Sequence, residues 1–420
     1  MSPTHPPEQA DVPVLRAAAR GLTSVPTAAA AIPRRILPAV ALSQFAGTSL
    51  WFAINAVMPE LQRSAALPAA STGWLTAAVQ LGFIAGTLVF ALLAVADRFS
   101  PRLVFLLCSL AGAALALATA LLPPSVALLI VLRFGTGVCL AGIYPVGMKI
   151  AAGWYAQGLG WALGVLVGAL VLGTAMPFGL RALGAAWAWQ TVMVVVALVA
   201  AAGGLLMALA VPDGPHLVHR PKGSGSALSH RALAVVWTDA RLRASVLGYF
   251  GHMWELYAFF VLLPLIVAMH WQGAAASWWV FAVIGIGLFS CAGGGLLARR
   301  FGSARVAGAQ LLCSGACGLL APWLLDAPLW LWAPWLLLWG ATVSGDSPQL
   351  SALTAANAPR AMVGSVLTLV NCIGFALSVI TITVFVGLAT VWPLAQVLPW
   401  LALGPALGVV YLRPLLTNPA

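Results

Sequence analysis

Apolar stretches of about 20 residues follow one another along most of the chain, and short loops between them hold most of the charge. A helix of that length spans the hydrocarbon core of a bilayer and satisfies its own backbone hydrogen bonds there. Of the 420 residues, 62% are hydrophobic and only 7% are charged, values that no soluble globular class has. The short alternating segments of a transmembrane β-barrel are absent from the sequence. We therefore expect an all-α integral membrane protein.

Twelve spans can be placed on the sequence, six on each side of a polar stretch. The predicted spans cover residues 36–58, 72–96, 103–122, 125–150, 159–180, 185–211, 244–269, 276–298, 304–325, 329–346, 361–387 and 391–411. We expect a disordered cytoplasmic tail at residues 1–35, an N-terminal six-helix bundle at 36–211, a cytoplasmic linker at 212–243, a C-terminal six-helix bundle at 244–412 and a cytoplasmic tail at 413–420. The linker contains a flexible Gly-Ser segment and is expected to include a short surface helix.

The basic residues indicate how the chain crosses the membrane. If the N-terminus lies inside, nearly all of the 20 Lys and Arg residues fall on the inner side, and the outer side receives only Arg63 and Arg181. Cytoplasmic loops of membrane proteins carry such an excess. We expect a multi-pass protein of the plasma (inner) membrane with both termini in the cytoplasm. The net charge of +11 does not indicate nucleic-acid binding, because the basic residues form no face interleaved with aromatic side chains.

Motifs of enzymatic chemistry are missing from the sequence: there is no P-loop, no dinucleotide-binding turn in a soluble unit and no nucleophile with a base. The six cysteines lie within apolar runs without zinc spacing and are interpreted as small packing residues. Cys313 and Cys317 are one helical turn apart, so a soft metal between them is the alternative. We expect no enzymatic activity, no cofactor and no metal site. The expected partners are a small-molecule substrate, protons and the lipid bilayer, and the protein is expected to act as a monomer.

The two halves of the chain repeat at an offset of about 202–203 positions. DRFSPR at 97–102 falls on RRFGSA at 299–304, Trp51 falls on Trp254, and GIYP at 142–145 falls on GDSP at 345–348. Parallel six-helix repeats with a site between them near the middle of the membrane are a known plan of transporters. The sequence therefore predicts twelve transmembrane helices in two six-helix pseudo-repeats.

Two loops and one span carry a family resemblance. After the second span, LLAVADRFSPR keeps Asp97, Arg98 and Arg102 of a pattern that reads roughly G-x-L-A-D-R-x-G-R-R, and GLLARRFGSAR repeats part of it after the eighth span. The fourth span contains RFGTG, followed by AGIYPVGMKIAAGWY. The sequence thus resembles the major facilitator superfamily over all twelve spans, and its pattern is most similar to the nitrate/nitrite, cyanate and organic-anion carrier branch. This resemblance implies a secondary transporter that works by alternating access.

The sequence departs from two subgroups of that superfamily. Nitrate carriers hold their anion with an arginine in the second and the eighth span, whereas the second span here offers Gln80 and the eighth has no basic residue before Arg299. Drug/proton antiporters carry G-x-x-x-G-P-x-x-G-G in the fifth span. Here Ala169 stands in place of that proline and Leu172 in place of a glycine.

The resemblance also implies that the first, fourth, seventh and tenth helices line a central cavity. Glu255 lies near the middle of the seventh span, where a carboxylate costs at least ~2.5–3.5 kcal/mol and needs a partner, a proton or water. His252 lies three residues earlier on the same helical face. Arg133 in the fourth span and Asp346 near the inner end of the tenth complete the set. Glu255 and Arg133 are the expected charged pair or relay.

Each of these residues has a structural alternative. Glu255 could hold helices together, and His252 could be a satisfied packing group. Arg133 could hold a backbone carbonyl, and Asp346 could cap a helix or a turn. Other polar and aromatic residues within the spans are expected to shape the substrate cavity or to join helices: Trp51, Asn55, Gln80, Tyr144, Trp254, Tyr257 and Asn371. The residues expected at the cytoplasmic gate are Asp97, Arg98, Arg102, Arg299, Arg300 and Arg305.

These features predict a proton-coupled secondary transporter that moves a small organic or inorganic anion by alternating access. The alternative is a proton-coupled efflux antiporter for drugs or amphipathic metabolites, which a carboxylate with aromatic neighbours would suit. A sensor or assembly factor that kept the fold belongs to a different class, and it is disfavoured because the sequence has no sizeable soluble domain.

Overall fold

The computed structural model describes residues 32–155, 158–217, 228–229 and 231–417. Most of the predicted N-terminal tail, the linker residues Arg220 and Lys222 with the Gly-Ser segment, and the last three residues lie outside the described residues. The described ranges are helical, with two short 3₁₀ segments and no strand. The prediction of an all-α membrane protein is confirmed.

The membrane helices are numbered here α1 to α12. In chain order they are α1 (Ile36–Thr48, continued by Ala53–Ala56 and Met58–Ala65), α2 (Ser71–Leu92), α3 (Pro101–Leu121), α4 (Val126–Trp154), α5 (Leu159–Leu183), α6 (Trp189–Ala210), α7 (Ala240–Ala268), α8 (Gly273–Phe301), α9 (Ser303–Leu324), α10 (Leu329–Gly345 and Ser347–Asn357), α11 (Val363–Ala389) and α12 (Leu394–Thr417). Ten of them are each long and apolar enough to cross a membrane. The other two, α1 and α10, reach that length only when their segments are taken together.

Some helix ends differ from the predicted spans. The helix α7 begins at Ala240 and not at 244, because Asp239 caps it by accepting a hydrogen bond of 2.8 Å from the Leu242 amide. The predicted span began later because charged residues in this first turn interrupt the apolar run. The helix α2 ends at Leu92, before a left-handed residue, Ala94. A short helix, Arg231–Thr238, lies in the linker stretch.

The two halves are interrupted at equivalent places. The helix α4 breaks between Val126–Ala141 and Tyr144–Trp154, and α10 breaks between Leu329–Gly345 and Ser347–Asn357. In each case a proline, Pro145 or Pro348, stands in the first turn of the second segment, where its missing N–H leaves no hydrogen bond unmade. The GIYP and GDSP sequences therefore mark one structural feature that occurs twice, as the predicted pseudo-repeat requires.

The halves also pack against each other along two pairs of helices. Within the first six helices α2 packs on α4 and α3 on α6, and within the second six α7 packs on α12 and α9 on α10. Between the sets, α5 packs on α8 and α2 on α11. A Cβ added at Gly168 of α5 would approach the Leu288 backbone of α8 to 2.9 Å, which explains the glycine at this position. The end of the bundle where α6 is joined to α7 is called the linker side below.

We predict that Gly137→Ala destabilises the protein, because the added Cβ would overlap the backbone carbonyl of Val79 where α4 crosses α2. Overpacking of this kind costs about 1–3 kcal/mol. The matched control is Gly135→Ala on the same helix, whose Cβ would meet only the flexible end of Leu115 at 3.0 Å. Thermal unfolding in detergent, followed by tryptophan fluorescence, should show a lower midpoint for the first variant alone. Equal midpoints for both variants would contradict this packing.

Candidate functional site

A cavity of about 1260 Å³ lies between the two sets of six helices and reaches the linker side. Its wall is formed by parts of α2, α4, α5, α7, α8, α10 and α11. The charged residues in the wall are Asp97, Lys149 and Arg299, and all three stand at linker-side ends of helices. The cavity therefore has a charged mouth and an uncharged interior.

The interior wall is apolar with a few polar groups. Tyr144 and Asn371, both predicted from the sequence, line it, and so does Tyr249, which was not predicted. The Tyr249 hydroxyl donates a hydrogen bond of 2.7 Å to the side-chain oxygen of Asn371. Gln349 and Thr87 add an amide and a hydroxyl. These groups can orient a bound molecule by hydrogen bonds but bring no charge to it.

A cluster of aromatic rings, called here the aromatic plug, closes the cavity on the side away from the linker. Its members are Trp51, Phe52, Phe83, Tyr144, Tyr257, Phe260 and Phe375. The rings of Phe83 and Phe375 lie 4.5 Å apart, and Trp51 stacks on Tyr257 at 5.9 Å between centroids. Each of these two pairs joins one set of six helices to the other. The plug therefore fills the space between the two sets of helices on that side of the cavity.

Arg133 supports the plug from behind. The helix α1 is interrupted at residues 49–52, and the guanidinium of Arg133 donates to the carbonyl of Leu50 at 2.9 Å and to that of Trp51. Carbonyls freed by a break inside a membrane must find partners, and Arg133, which is only 2% exposed, provides them. The expected pair of Arg133 with Glu255 does not form, because the guanidinium is turned toward α1.

The break in α1 has a local signal in the sequence. Thr48 donates its hydroxyl to the Gln44 carbonyl at 2.8 Å, and Ser49 donates to the Ala46 carbonyl at 2.6 Å. Adjacent hydroxyl residues that bond back to the preceding turn compete with the helix and often bend it. The predicted first span was continuous because no charged residue interrupts it.

Glu255 points into the second set of six helices and away from the cavity. Its carboxylate accepts hydrogen bonds from Ser314 of α9 at 2.8 Å and from the Trp339 indole of α10 at 2.6 Å. Each oxygen has one donor, so the buried group is satisfied as an acceptor. The expectation that Glu255 lines the cavity is therefore wrong in this conformation.

His252 and Asp346 form a buried pair between α7 and α10. Nδ1 of His252 lies 2.8 Å from Oδ1 of Asp346, and the side chains are 0% and 1% exposed. Asp346 stands at the break of α10, with 11 further helical residues after it, and so is not at the inner end of the helix as expected. The ring of Tyr249, which lines the cavity, lies 5.8 Å from that of His252. The pair is thus one layer of side chains behind the cavity wall.

The predicted gate residues are only partly brought together. Asp97 pairs with Lys149, a residue whose role was missed, and not with Arg98 or Arg102. Arg102 instead lies 4.0 Å from Asp213 of the linker, whose carboxylate also accepts from Ser100 at 2.9 Å. The predicted gate has four further basic residues. Arg98 and Arg305 are exposed at the surface, and Arg299 lies at the cavity mouth. The guanidinium of Arg300 lies 5.3 Å from the centre of the Phe301 ring.

Three more of the predicted cavity residues lie outside the cavity wall. Trp254 donates its indole N–H to the Trp400 carbonyl at 3.1 Å and so joins α7 to α12. Asn55 donates to Thr76 at 2.8 Å on the far side of the plug. Gln80 is completely buried, and its amide has no hydrogen-bond partner among the described residues.

Residues 40–404 match the Major Facilitator Superfamily, which covers most of the chain. The protein belongs to this superfamily of membrane transporters, as the sequence predicted, and is a secondary transporter and not an enzyme. Its fold is similar to the crystal structure of the human organic anion transporter MFSD10 (TETRAN), with a TM-score of 0.68 over 90% of this chain and 99% of that one. The two sequences are 16% identical, so the similarity is one of fold. No curated protein matches the chain in sequence.

We predict that Arg133→Met destabilises the protein, because it leaves the buried carbonyls of Leu50 and Trp51 without a donor. An unsatisfied buried group costs about 1–3 kcal/mol. Arg133→Lys, which keeps one cationic donor, should lose less. Melting midpoints in detergent measure both. A normal midpoint for Arg133→Met, with loss of anion binding, would instead indicate that Arg133 contacts the substrate.

Proposed function

We propose that the protein transports an organic anion with an apolar body by alternating access, coupled to protons. The observation that carries the proposal is the cavity, with its basic mouth and its uncharged, largely apolar interior. The solved structure of similar fold is named as an organic anion transporter, and the proposal assigns the same class of substrate. It also agrees with the organic-anion branch that the sequence resembles.

The size and lining of the cavity favour an organic substrate over a small inorganic ion. Pockets for drug-sized molecules measure about 300–1,000 Å³, and this cavity has about 1260 Å³. An inorganic anion such as nitrate needs a buried cation, and Arg133 is occupied by the α1 carbonyls. A molecule with an aromatic or aliphatic body would instead pack on the apolar wall and the plug.

The mouth supplies the preference for negative charge. Lys149 is paired with Asp97, which leaves Arg299 as the cation without an acidic neighbour in the cavity wall. Basic residues at a cleft attract anions and speed their entry. The excess of basic residues on the linker side supports a cytoplasmic linker in the plasma membrane, so that the cavity opens to the cytoplasm.

His252 and Asp346 are the proposed site of proton coupling. A protonated His252 forms an ion pair with Asp346, whereas the neutral form leaves a buried carboxylate beside an uncharged ring. The free-energy cost of burying a lone carboxylate is much larger than that of burying a pair. Protonation of His252 therefore changes the free energy of this conformation and can shift the balance between states open to either side of the membrane. Asp346 lies at the break of α10, where the helix can move in two parts.

The groups around the pair are limited in number. The Tyr249 ring on the same helix lies 5.8 Å from that of His252, and the thiol of Cys291 on α8 donates to the carbonyl of Ser344 at 3.3 Å. Glu255 already accepts from Ser314 and Trp339, which supports a structural role for it. Proton-coupled efflux of an amphipathic drug remains the second candidate, because the uncharged aromatic interior suits such a molecule equally well.

We predict that Arg299→Gln raises the KM for an anionic substrate by about two- to fivefold, as an exposed charge contact worth up to about 1 kcal/mol would. Arg300→Gln is the matched control, since Arg300 is the adjacent residue and does not line the cavity. Uptake of radiolabelled naphthalenesulfonate into proteoliposomes measures the effect. This anion stays charged at neutral pH and does not cross lipid as a neutral acid. Equal KM values for the two variants would contradict the role of the mouth.

We predict that His252→Gln abolishes proton coupling, whereas Glu255→Gln retains it. Vesicles that contain a pH-sensitive dye should acidify when naphthalenesulfonate is added to the wild type and to Glu255→Gln, and should not acidify with His252→Gln. Loss of acidification in Glu255→Gln alone would assign coupling to Glu255. Alkalinisation driven by benzyltrimethylammonium, without a response to the sulfonate, would favour drug efflux by antiport.

A further inference from the structure

One face of α2 continues across the aromatic plug. Gly73, Thr76, Gln80, Phe83 and Thr87 are spaced three or four residues apart and so lie along one stripe of the helix. Thr87 lines the cavity, and Phe83 belongs to the plug. Since the helix rises about 1.5 Å per residue, Gln80 and Thr76 lie beyond the plug on the side away from the linker.

Contacts with two helices, α1 and α11, show what this stripe faces. Phe83 lies 5.1 Å from Trp51 of α1, and Thr76 accepts a hydrogen bond from Asn55 of α1 at 2.8 Å. Gln80 lies between Phe83 and Thr76 on this stripe and therefore also faces α1. On its other flank, Phe83 lies against Phe375 of α11, and Gly73 lies against Val386 of the same helix. Gln80 is thus enclosed where the first set of six helices meets the second.

Several polar atoms of this region are buried without a hydrogen-bond partner among the described residues. Among the described residues, neither the nitrogen nor the oxygen of the Gln80 amide has a hydrogen-bond partner, and the same is true of the Trp51 indole nitrogen and the Asn55 side-chain oxygen. Burying such groups unpaired costs free energy, and an apolar residue of the same size would avoid it. A role as a bond between helices does not explain Gln80, because it makes no such bond in this conformation.

We propose that Trp51 and Gln80 form a second substrate subsite, which binds the oxyanion head of the substrate when the side away from the linker is open. This inference rests on the proposed function. The indole N–H of Trp51 and the amide N–H groups of Gln80 are neutral donors that suit carboxylate or sulfonate oxygens. When α11 moves away from α2, these groups face the pathway, and the same stripe of α2 then carries the substrate across the plug.

The test compares Gln80→Leu with Gln44→Leu. Gln44 is an equally buried glutamine of α1 whose amide also has no partner among the described residues, but it faces Gly147 of α4 on the linker side of the plug. Both variants replace an unpaired amide by an apolar group of similar size. We expect Gln80→Leu to reduce naphthalenesulfonate uptake into proteoliposomes at least tenfold with a melting midpoint no lower than that of the wild type. Gln44→Leu should transport at the wild-type rate.

Uptake by Gln80→Leu within twofold of the wild type would overturn the subsite and leave the proposed function standing. A lower melting midpoint for both Gln80→Leu and Gln80→Met, whose side chain is unbranched, would assign Gln80 to helix packing and likewise overturn the subsite. Absence of sulfonate uptake by the wild-type protein would overturn the proposed function, and the subsite with it.

Discussion

The structure depends on the requirement that every backbone polar group inside a membrane has a partner. The first helix breaks that rule at residues 49–52, and Arg133 of α4 restores it by donating to the carbonyls of Leu50 and Trp51. The break turns Trp51 and Phe52 into the centre of the bundle, where they meet rings from both sets of helices. The buried guanidinium of Arg133, bonded to backbone carbonyls, thus holds the segment that carries Trp51 and Phe52 of the aromatic plug.

The placement of the charged side chains follows from the same cost of burying polar groups without partners. Fixed charges in the cavity wall are confined to the mouth, and the interior offers hydroxyls, amides and aromatic faces. The buried carboxylates lie behind the wall, where Glu255 is held by Ser314 and Trp339 and Asp346 by His252. An apolar substrate body can therefore pass without meeting a desolvated charge. In the proposed coupling, protonation would act behind the cavity wall, at the break that divides α10 into two segments.

The sequence was sufficient for the parts of the fold that depend on local pattern. Span number, the repeat and the superfamily follow from apolar length, spacing and motif. The breaks of α4 and α10 were not predicted, although each is followed by a proline. The sequence was insufficient where packing decides. Helical spacing puts His252 and Glu255 on one broad face, yet His252 meets α10 at Asp346 while Glu255 reaches α9 and Trp339. The partner of Asp97 is 52 positions away, and no local pattern indicates Lys149.

The central claim is that the two sets of helices rock about the plug so that the cavity opens to each side in turn. The most direct measurement is the distance between spin labels at Arg98 and Arg305, exposed linker-side positions of the two sets, in a variant without the native cysteines. Electron-spin distance measurement should give two populations, and naphthalenesulfonate should change their proportion, with the shorter distance belonging to the state closed on the linker side. A single distance that substrate leaves unchanged would contradict alternating access through this cavity.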